Sequence, residues 1–241
     1  MRNAILALLV ICSVVLGLSE NAYSDRRGYV WTYEYLTMPR GMFEVEYYLT
    51  EQQKDINRSV PNTWKHQVEL EYGLTDHWDI SMYQRFTHSN TEDESTFGYD
   101  GFKLRTRYRF AEKNELPLDT LLYLEYIRDD DFKKPNVLEG KVIFARDIGK
   151  FNFAYDQILK QALESDGVTE HEYAAGVNYE ITPRFKIGVE TKGNYTDDKH
   201  YIGPTIAWRS NKFWISFGVV AGLNRRSNDL EARFILGVPL L

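Results

Sequence analysis

Apolar and polar residues alternate along most of the chain. The stretch FKLRTRYRF, residues 102–110, has Lys103, Arg105, Arg107 and Arg109 at every second position, with mostly aromatic and aliphatic residues between them. Successive side chains of a β-strand point to opposite faces, so this spacing gives one charged face and one apolar face. A helix would scatter the same charges around its axis. We therefore predict a strand.

The same alternation recurs in twelve segments, centred on residues 43–49, 64–72, 78–83, 102–110, 118–126, 138–148, 151–156, 173–181, 185–189, 202–209, 213–219 and 230–238. Many approach ten residues, whereas strands of soluble proteins average about five or six. Strands of about ten residues that alternate apolar and polar are typical of transmembrane barrels. The pattern predicts an all-β fold, a transmembrane antiparallel up-and-down β-barrel of twelve strands over residues 41–241.

The connections and the aromatic residues favour the same interpretation. Short turns near residues 75–77, 147–150 and 182–184 alternate with longer polar loops, as in barrels with short periplasmic turns and longer outer loops. Aromatic residues such as Trp78 and Trp208 gather beside the short turns on the apolar faces, as at a membrane–water boundary. A soluble all-β fold is the alternative, but it gives no reason for this gathering.

The N-terminus differs from the rest. Residues 1–24 combine Arg2, an apolar run and the sequence Ala-Tyr-Ser, which ends at Ser24 and resembles a cleavage site. We expect a signal peptide over residues 1–24; an uncleaved anchor is the alternative, but the run falls short of the ~20 residues of a span. Residues 25–40 are then a periplasmic or plug segment, because a thirteenth strand there would break the even strand count.

Composition narrows the possible classes. The mean hydropathy of −0.46 leaves no room for a bundle of membrane helices, and the net charge of −6 argues against a nucleic-acid partner. The single cysteine, Cys12, lies in the predicted signal peptide, so disulfides and thiolate metal sites are excluded from the mature chain.

Three segments carry a resemblance to a known family. YGLTDHWDI (residues 72–80) and YEITPRFKI (residues 179–187) resemble the strand–turn–strand signature of small porin-like outer-membrane β-barrel proteins of Gram-negative bacteria, and MPRG (residues 38–41) is similar to the start of such barrels. The resemblance covers about residues 38–241. It implies location in the cell outer membrane, contact with its lipid and lipopolysaccharide, passage of small hydrophilic solutes and no cofactor, and it leaves the oligomeric state open.

If the apolar faces contact lipid, the charged faces line the lumen, because the inverse would cost about 2–4 kcal/mol for each Arg at the bilayer midplane. The pore-lining candidates are Glu44, Glu46, Glu69, Glu71, Arg85, Lys103, Arg105, Arg107, Arg109, Asp119 and Glu125. A simple register through the turn at 111–117 places Arg109 opposite Asp119 and Lys103 opposite Glu125. Arg105 and Arg107 then lack a neighbouring acid, and we expect them to contact solute.

These charges allow two interpretations. A basic ladder would attract anionic solutes, and it resembles the arginine-lined twelve-stranded channels for acidic oligosaccharides. Alternatively, ion pairs fill the lumen and leave no wide pore. The first predicts a porin-like channel for small hydrophilic, anionic solutes, and the second a non-conducting barrel with a structural or adhesive role.

The sequence contains few signs of catalysis. The five histidines have no metal-ligand spacing, and GxSxG is absent. His88, Ser89 and Asn90 approach the rim motif of outer-membrane lipid hydrolases, but Thr91 stands where glycine would be. We expect no enzymatic activity and no metal, with a lipid-modifying enzyme at the barrel rim as the third alternative.

Overall fold

A computed structural model describes residues 27–240, and the predicted signal peptide lies outside the described residues. The strands are β1 Phe43–Gln53, β2 Asn62–Thr75, β3 Trp78–Asn90, β4 Ser95–Arg109, β5 Asp119–Arg128, β6 Val137–Ile148, β7 Phe151–Ala162, β8 Thr169–Thr182, β9 Phe185–Asn194, β10 Lys199–Arg209, β11 Trp214–Gly222 and β12 Leu230–Pro239. Each pairs antiparallel with the next, and β1 pairs with β12 to close the barrel. The predicted twelve-stranded up-and-down barrel is confirmed.

Alternation along each strand separates a lipid face from a lumen face. On β5, Leu122 and Leu124 point outward with 43% and 47% of their surface exposed, whereas Asp119, Tyr123 and Glu125 point inward and are buried. Closing the sheet pairs every strand edge, which a bilayer requires because it offers no water to unpaired backbone groups. The apolar outer face therefore spans the membrane.

Aromatic pairs mark the short-turn end of this outer face. The ring centroids of Phe43 and Tyr72 lie 4.3 Å apart, and those of Phe151 and Tyr179 lie 4.9 Å apart. Rings of this kind are favourable at the boundary between hydrocarbon and water.

The register between β4 and β5 differs from the sequence prediction. Arg109 lies opposite Leu121 and Arg105 lies opposite Glu125, so pairing Arg109 with Asp119 was wrong by two residues. In the register no β4 residue lies opposite Asp119, and its carboxylate instead accepts a hydrogen bond of 2.8 Å from the backbone N–H of Asn114 in the loop between the strands. Asp119 thereby belongs to the loop as much as to the strand.

Residues 27–38, the inner segment, lie inside the barrel. Tyr29, Val30 and Met38 are fully buried. From β1 the chain turns back at the short-turn end, where Thr37 Oγ1 donates to the carbonyl of Asp76 at 2.8 Å. It then reaches the middle of the lumen, where Ser216 donates to the carbonyl of Arg27 at 2.6 Å.

Two inward-facing glycines make room for the inner segment. A Cβ at Gly176 would lie 2.5 Å from the ring of Tyr29, and a Cβ at Gly218 would lie 2.6 Å from Val30. Real Cβ atoms do not approach other heavy atoms so closely, so the wall at these positions is shaped to the segment that it holds.

We expect Gly176→Ala to destabilise the folded protein by about 1–3 kcal/mol, because the added methyl group overpacks the buried ring of Tyr29. The free energy of unfolding can be measured with urea in detergent micelles. Gly140→Ala is the matched control, since a Cβ at this strand glycine meets no atom within 4 Å. Equal stability of the two variants would contradict the packing of the inner segment against β8.

Candidate functional site: the barrel lumen

A cluster of buried ion pairs fills the wall between β2, β3 and β4. The guanidinium of Arg105 lies 2.9 Å from Glu69 and 2.8 Å from Glu71, and that of Arg107 contacts Glu71 and lies 2.8 Å from Asp79. All five side chains are at most 2% exposed. Two buried guanidinium groups thus hold three carboxylates inside the wall.

The expectation that Arg105 and Arg107 lack a neighbouring acid was wrong. Their partners come from β2 and β3, whereas the sequence argument considered only the turn towards β5. Ser81 stands between Glu71 and Arg105 in the register, and its small side chain lets the two longer ones meet across β3. A cation held in this way contributes to the wall rather than to an open solute path.

The other predicted residues on β4 and β5 also face inward and have partners. Lys103 lies 2.9 Å from Glu125, although it is not directly opposite in the register, and Glu125 also accepts a 2.6 Å hydrogen bond from Tyr123. At the short-turn end, Arg109 donates to Thr37 at 3.0 Å and lies 2.9 Å from Glu112.

Three further predicted residues line other parts of the interior wall. Glu44 accepts a 2.8 Å hydrogen bond from the indole of Trp214, and Glu46 accepts one from the hydroxyl of Tyr48. Towards the long-loop end, Arg85 lies 3.3 Å from the carboxylate of Asp100. Among the eleven predicted pore-lining residues, Lys103 and Glu125 are the two that border the open cavity described below.

Buried carboxylates hold the backbone of the inner segment. Glu190 on β9 accepts hydrogen bonds of 2.7–2.8 Å from the backbone N–H groups of Val30, Trp31 and Thr32. Asp156 on β7 accepts one of 2.8 Å from Tyr33. Their spacing marks both acids as inward-facing, but no local pattern indicates what they bind, so the sequence analysis missed this role.

An open cavity of about 450 Å³, the vestibule, occupies the lumen between the inner segment and the long loops. Arg27, Trp31 and Tyr33 of the inner segment border it. Its charged lining comprises eight basic and six acidic side chains: Arg27, Lys65, Lys103, Lys141, Lys160, Lys192, Lys199, Arg233, Glu125, Glu139, Glu170, Glu172, Asp197 and Glu231. The vestibule is therefore a polar chamber with an excess of positive charge.

Five of the vestibule lysines have a carboxylate partner. The pairs and their N–O distances are Lys103–Glu125 at 2.9 Å, Lys141–Glu139 at 2.9 Å, Lys160–Glu172 at 2.7 Å, Lys192–Glu231 at 2.5 Å and Lys199–Asp197 at 2.7 Å. Within residues 27–240, neither Lys65 nor Arg233 has a carboxylate at ion-pair distance. Arg27 also has no carboxylate at ion-pair distance among these residues, but it is buried and donates to the hydroxyl of Tyr48 and to the carbonyl of Thr32. Lys65 and Arg233 are therefore the more accessible of the three cations without a carboxylate partner.

At the outer rim, His88 contacts Ser95 rather than its sequence neighbour Ser89. His88 Nε2 lies 2.8 Å from Ser95 Oγ, and the side-chain oxygen of Asn90 lies 2.7 Å from the same hydroxyl oxygen. The rim thus brings His88 to Ser95 and Asn90, and the absence of enzymatic activity stays a prediction.

This fold is shared by solved structures of outer-membrane barrels, among them the following two. An outer membrane channel from Pseudomonas putida F1 superposes with a TM-score of 0.64 and 10% sequence identity, over 88% of this chain and all of that chain (100%). The NanC porin superposes with a TM-score of 0.55 and 12% identity, over 83% of this chain and 99% of that chain. The predicted porin-like outer-membrane β-barrel is confirmed at the level of the fold.

No protein-family model and no curated protein sequence matches the chain. The described residues contain no helix that is long and apolar enough to cross a membrane.

We expect Arg105→Met to lower the free energy of unfolding by about 3–5 kcal/mol, because it leaves buried carboxylates without their cation. Lys113→Met is the control, since Lys113 and its partner Asp147 are 36% and 34% exposed and such a pair contributes up to about 1 kcal/mol. Urea unfolding of the two variants in detergent compares them. Similar losses would show that the buried cluster does not stabilise the wall.

Proposed function

We propose that the protein is a porin-like channel of the outer membrane for passive diffusion of small hydrophilic solutes, with a preference for anions. The observation that carries the proposal is the vestibule, a polar cavity of about 450 Å³ inside a membrane-spanning barrel with more basic than acidic lining residues. A cavity lined by one excess sign of charge concentrates ions of the opposite sign.

The proposed selectivity comes from the vestibule rather than from the ladder of basic residues on β4. Arg105 and Arg107 are neutralised within the wall, whereas Lys65 is exposed to the vestibule. An anion entering from the long-loop side therefore meets Lys65 before it reaches the inner segment.

The inner segment sets the width of the proposed path. It occupies the lumen on the short-turn side of the vestibule, where it is bonded to Glu190, Asp156 and Asp79. A solute must pass beside this segment or displace it. We therefore expect the channel to have a small conductance and to favour small solutes.

The position of the inner segment in the lumen favours a second candidate function. Under it, the protein is a non-conducting barrel that acts through its outer loops. The inner segment and the buried ion pairs together fill much of the lumen, and a segment bonded to three strands does not leave it readily. Under this alternative the inner segment closes the vestibule at its short-turn end, and the vestibule opens only towards the long loops. Contact with lipopolysaccharide and the absence of enzymatic activity stay predictions under both candidates.

Conductance in a planar bilayer tests the proposal. We expect the refolded wild-type protein to form small channels whose reversal potential in a KCl gradient indicates anion preference. Deletion of residues 27–37 should raise the conductance several-fold, because it removes the structure that narrows the lumen. The deletion keeps Met38 and the approach to β1.

Heat-resistant migration in gel electrophoresis, which folded barrels show, serves as the folding control for both proteins. If the deletion variant passes current and the wild type does not, the result would support the non-conducting barrel. A folded wild type and a folded deletion variant that both pass no current would overturn the channel.

A further inference from the structure

We propose that the vestibule contains a binding subsite for a small polar organic acid, whose anionic group binds between Lys65 and Arg233. This subsite deepens the proposed function by naming a substrate class, and it rests on that function for its biological role. Three features carry it: the position of the two cations, the lack of a carboxylate partner for either, and the chemistry of the surrounding walls.

The two cations lie in one row across three neighbouring strands. Thr50 on β1 pairs directly with Lys65 on β2 and with Arg233 on β12. Adjacent strands are about 4.8 Å apart, so the two Cα atoms lie about 10 Å apart. Both side chains are long enough to reach one anion above the short side chain of Thr50.

Arg233 is held in place by the protein but keeps donors for a ligand. Its Nε donates to Thr50 Oγ1 at 2.8 Å, and its Nη1 donates to the carbonyl of Val30 at 3.1 Å. A guanidinium has five N–H donors, so the remaining ones can bind a carboxylate or a phosphate. The inner segment thus orients the guanidinium through Val30.

The contrast with the five paired lysines of the vestibule makes the site specific, and Arg27, which has no carboxylate partner among the described residues either, is buried and bonded to Tyr48 and Thr32. Lys192 and Lys199, for example, each have a carboxylate oxygen within 2.7 Å, so an added anion would have to displace an existing partner. Lys65 and Arg233 are two like charges on one wall that repel each other until an anion binds. An anionic ligand therefore gains more binding free energy between Lys65 and Arg233 than beside a lysine that already has a carboxylate partner.

The rest of the vestibule indicates what else the ligand carries. The ring of Trp31, which borders the vestibule, lies 5.5 Å from the guanidinium carbon of Arg233, so a ligand bound to Arg233 lies beside an aromatic side chain. On the far wall, Asn194 donates to Glu170 at 2.8 Å, and Glu170 retains acceptor capacity for hydroxyl or ammonium groups. A hydroxylated or amino-bearing acid matches this arrangement.

Equilibrium binding to the refolded full chain in detergent tests the subsite without requiring current. The probes are glucuronate, glucose 6-phosphate and neutral glucose, followed by tryptophan fluorescence and by calorimetry. We expect at least one of the two anions to bind at least about tenfold more tightly than glucose, because a hydrogen bond to a charged group contributes enough for that factor. Comparing the two anions distinguishes a carboxylate from a phosphate ligand.

Variants locate the binding. Lys65→Gln should weaken binding of the preferred anion about tenfold or more, and it leaves the fold intact because the Lys65 side chain has no hydrogen-bonding partner among the described residues. Lys199→Gln is the matched control: it removes the same charge from the same cavity, but from a cation already paired with Asp197 and 43% exposed. Trp31→Phe should abolish most of the fluorescence change.

Equal binding of glucose and both anions would overturn the subsite, and so would equal weakening by Lys65→Gln and Lys199→Gln. These results are separable from the channel test. A protein that conducts but binds neither anion would support the proposed channel and contradict the proposed subsite. A protein that binds the anion at Lys65 but passes no current would support the subsite and contradict the channel.

Discussion

The carboxylate of Glu190 fixes the inner segment to the barrel wall. It accepts hydrogen bonds from three consecutive backbone N–H groups of that segment, and the arrangement of the lumen depends on this contact. Residues 27–38 form no strand, so their backbone groups have no sheet partner and would be costly to bury unpaired. The barrel wall supplies the acceptors instead, from Glu190, Asp156 and Asp79. Acids that look like pore lining in the sequence therefore bind the protein's own backbone.

This docking divides the lumen into two parts with different chemistry. On the short-turn side, the inner segment and the cluster around Arg105 are packed, and both guanidinium groups of the cluster have carboxylate partners. On the long-loop side, the lumen stays open, and Lys65 and Arg233 face it without carboxylate partners among the described residues. The position of the inner segment thus determines both the depth of the vestibule and, through Trp31 and Val30, part of its lining.

The fold could be predicted because lipid and lumen impose opposite polarity on successive residues of every strand, which leaves a period of two in the sequence. The partners of Arg105 could not be predicted, because they come from β2, and strand register across two hairpins leaves no local signal. The Arg109–Asp119 pairing failed because the pair nearest the loop is Arg109 with Leu121, while the carboxylate of Asp119 bonds to Asn114 in the loop. The path of residues 27–38 could not be predicted either. The segment is held by individual acidic residues that are far away in the sequence, and such contacts leave no periodic pattern.

Thiol accessibility of the inner segment tests the central claim most directly. In a chain with Cys12→Ser, which has no other cysteine, Thr32→Cys places a thiol at a position that is 1% exposed, and Ser165→Cys places one in the exposed loop after β7. A membrane-impermeant maleimide should label position 165 rapidly and position 32 only after unfolding. Equal labelling rates at both positions in the folded barrel would show that the inner segment does not occupy the lumen.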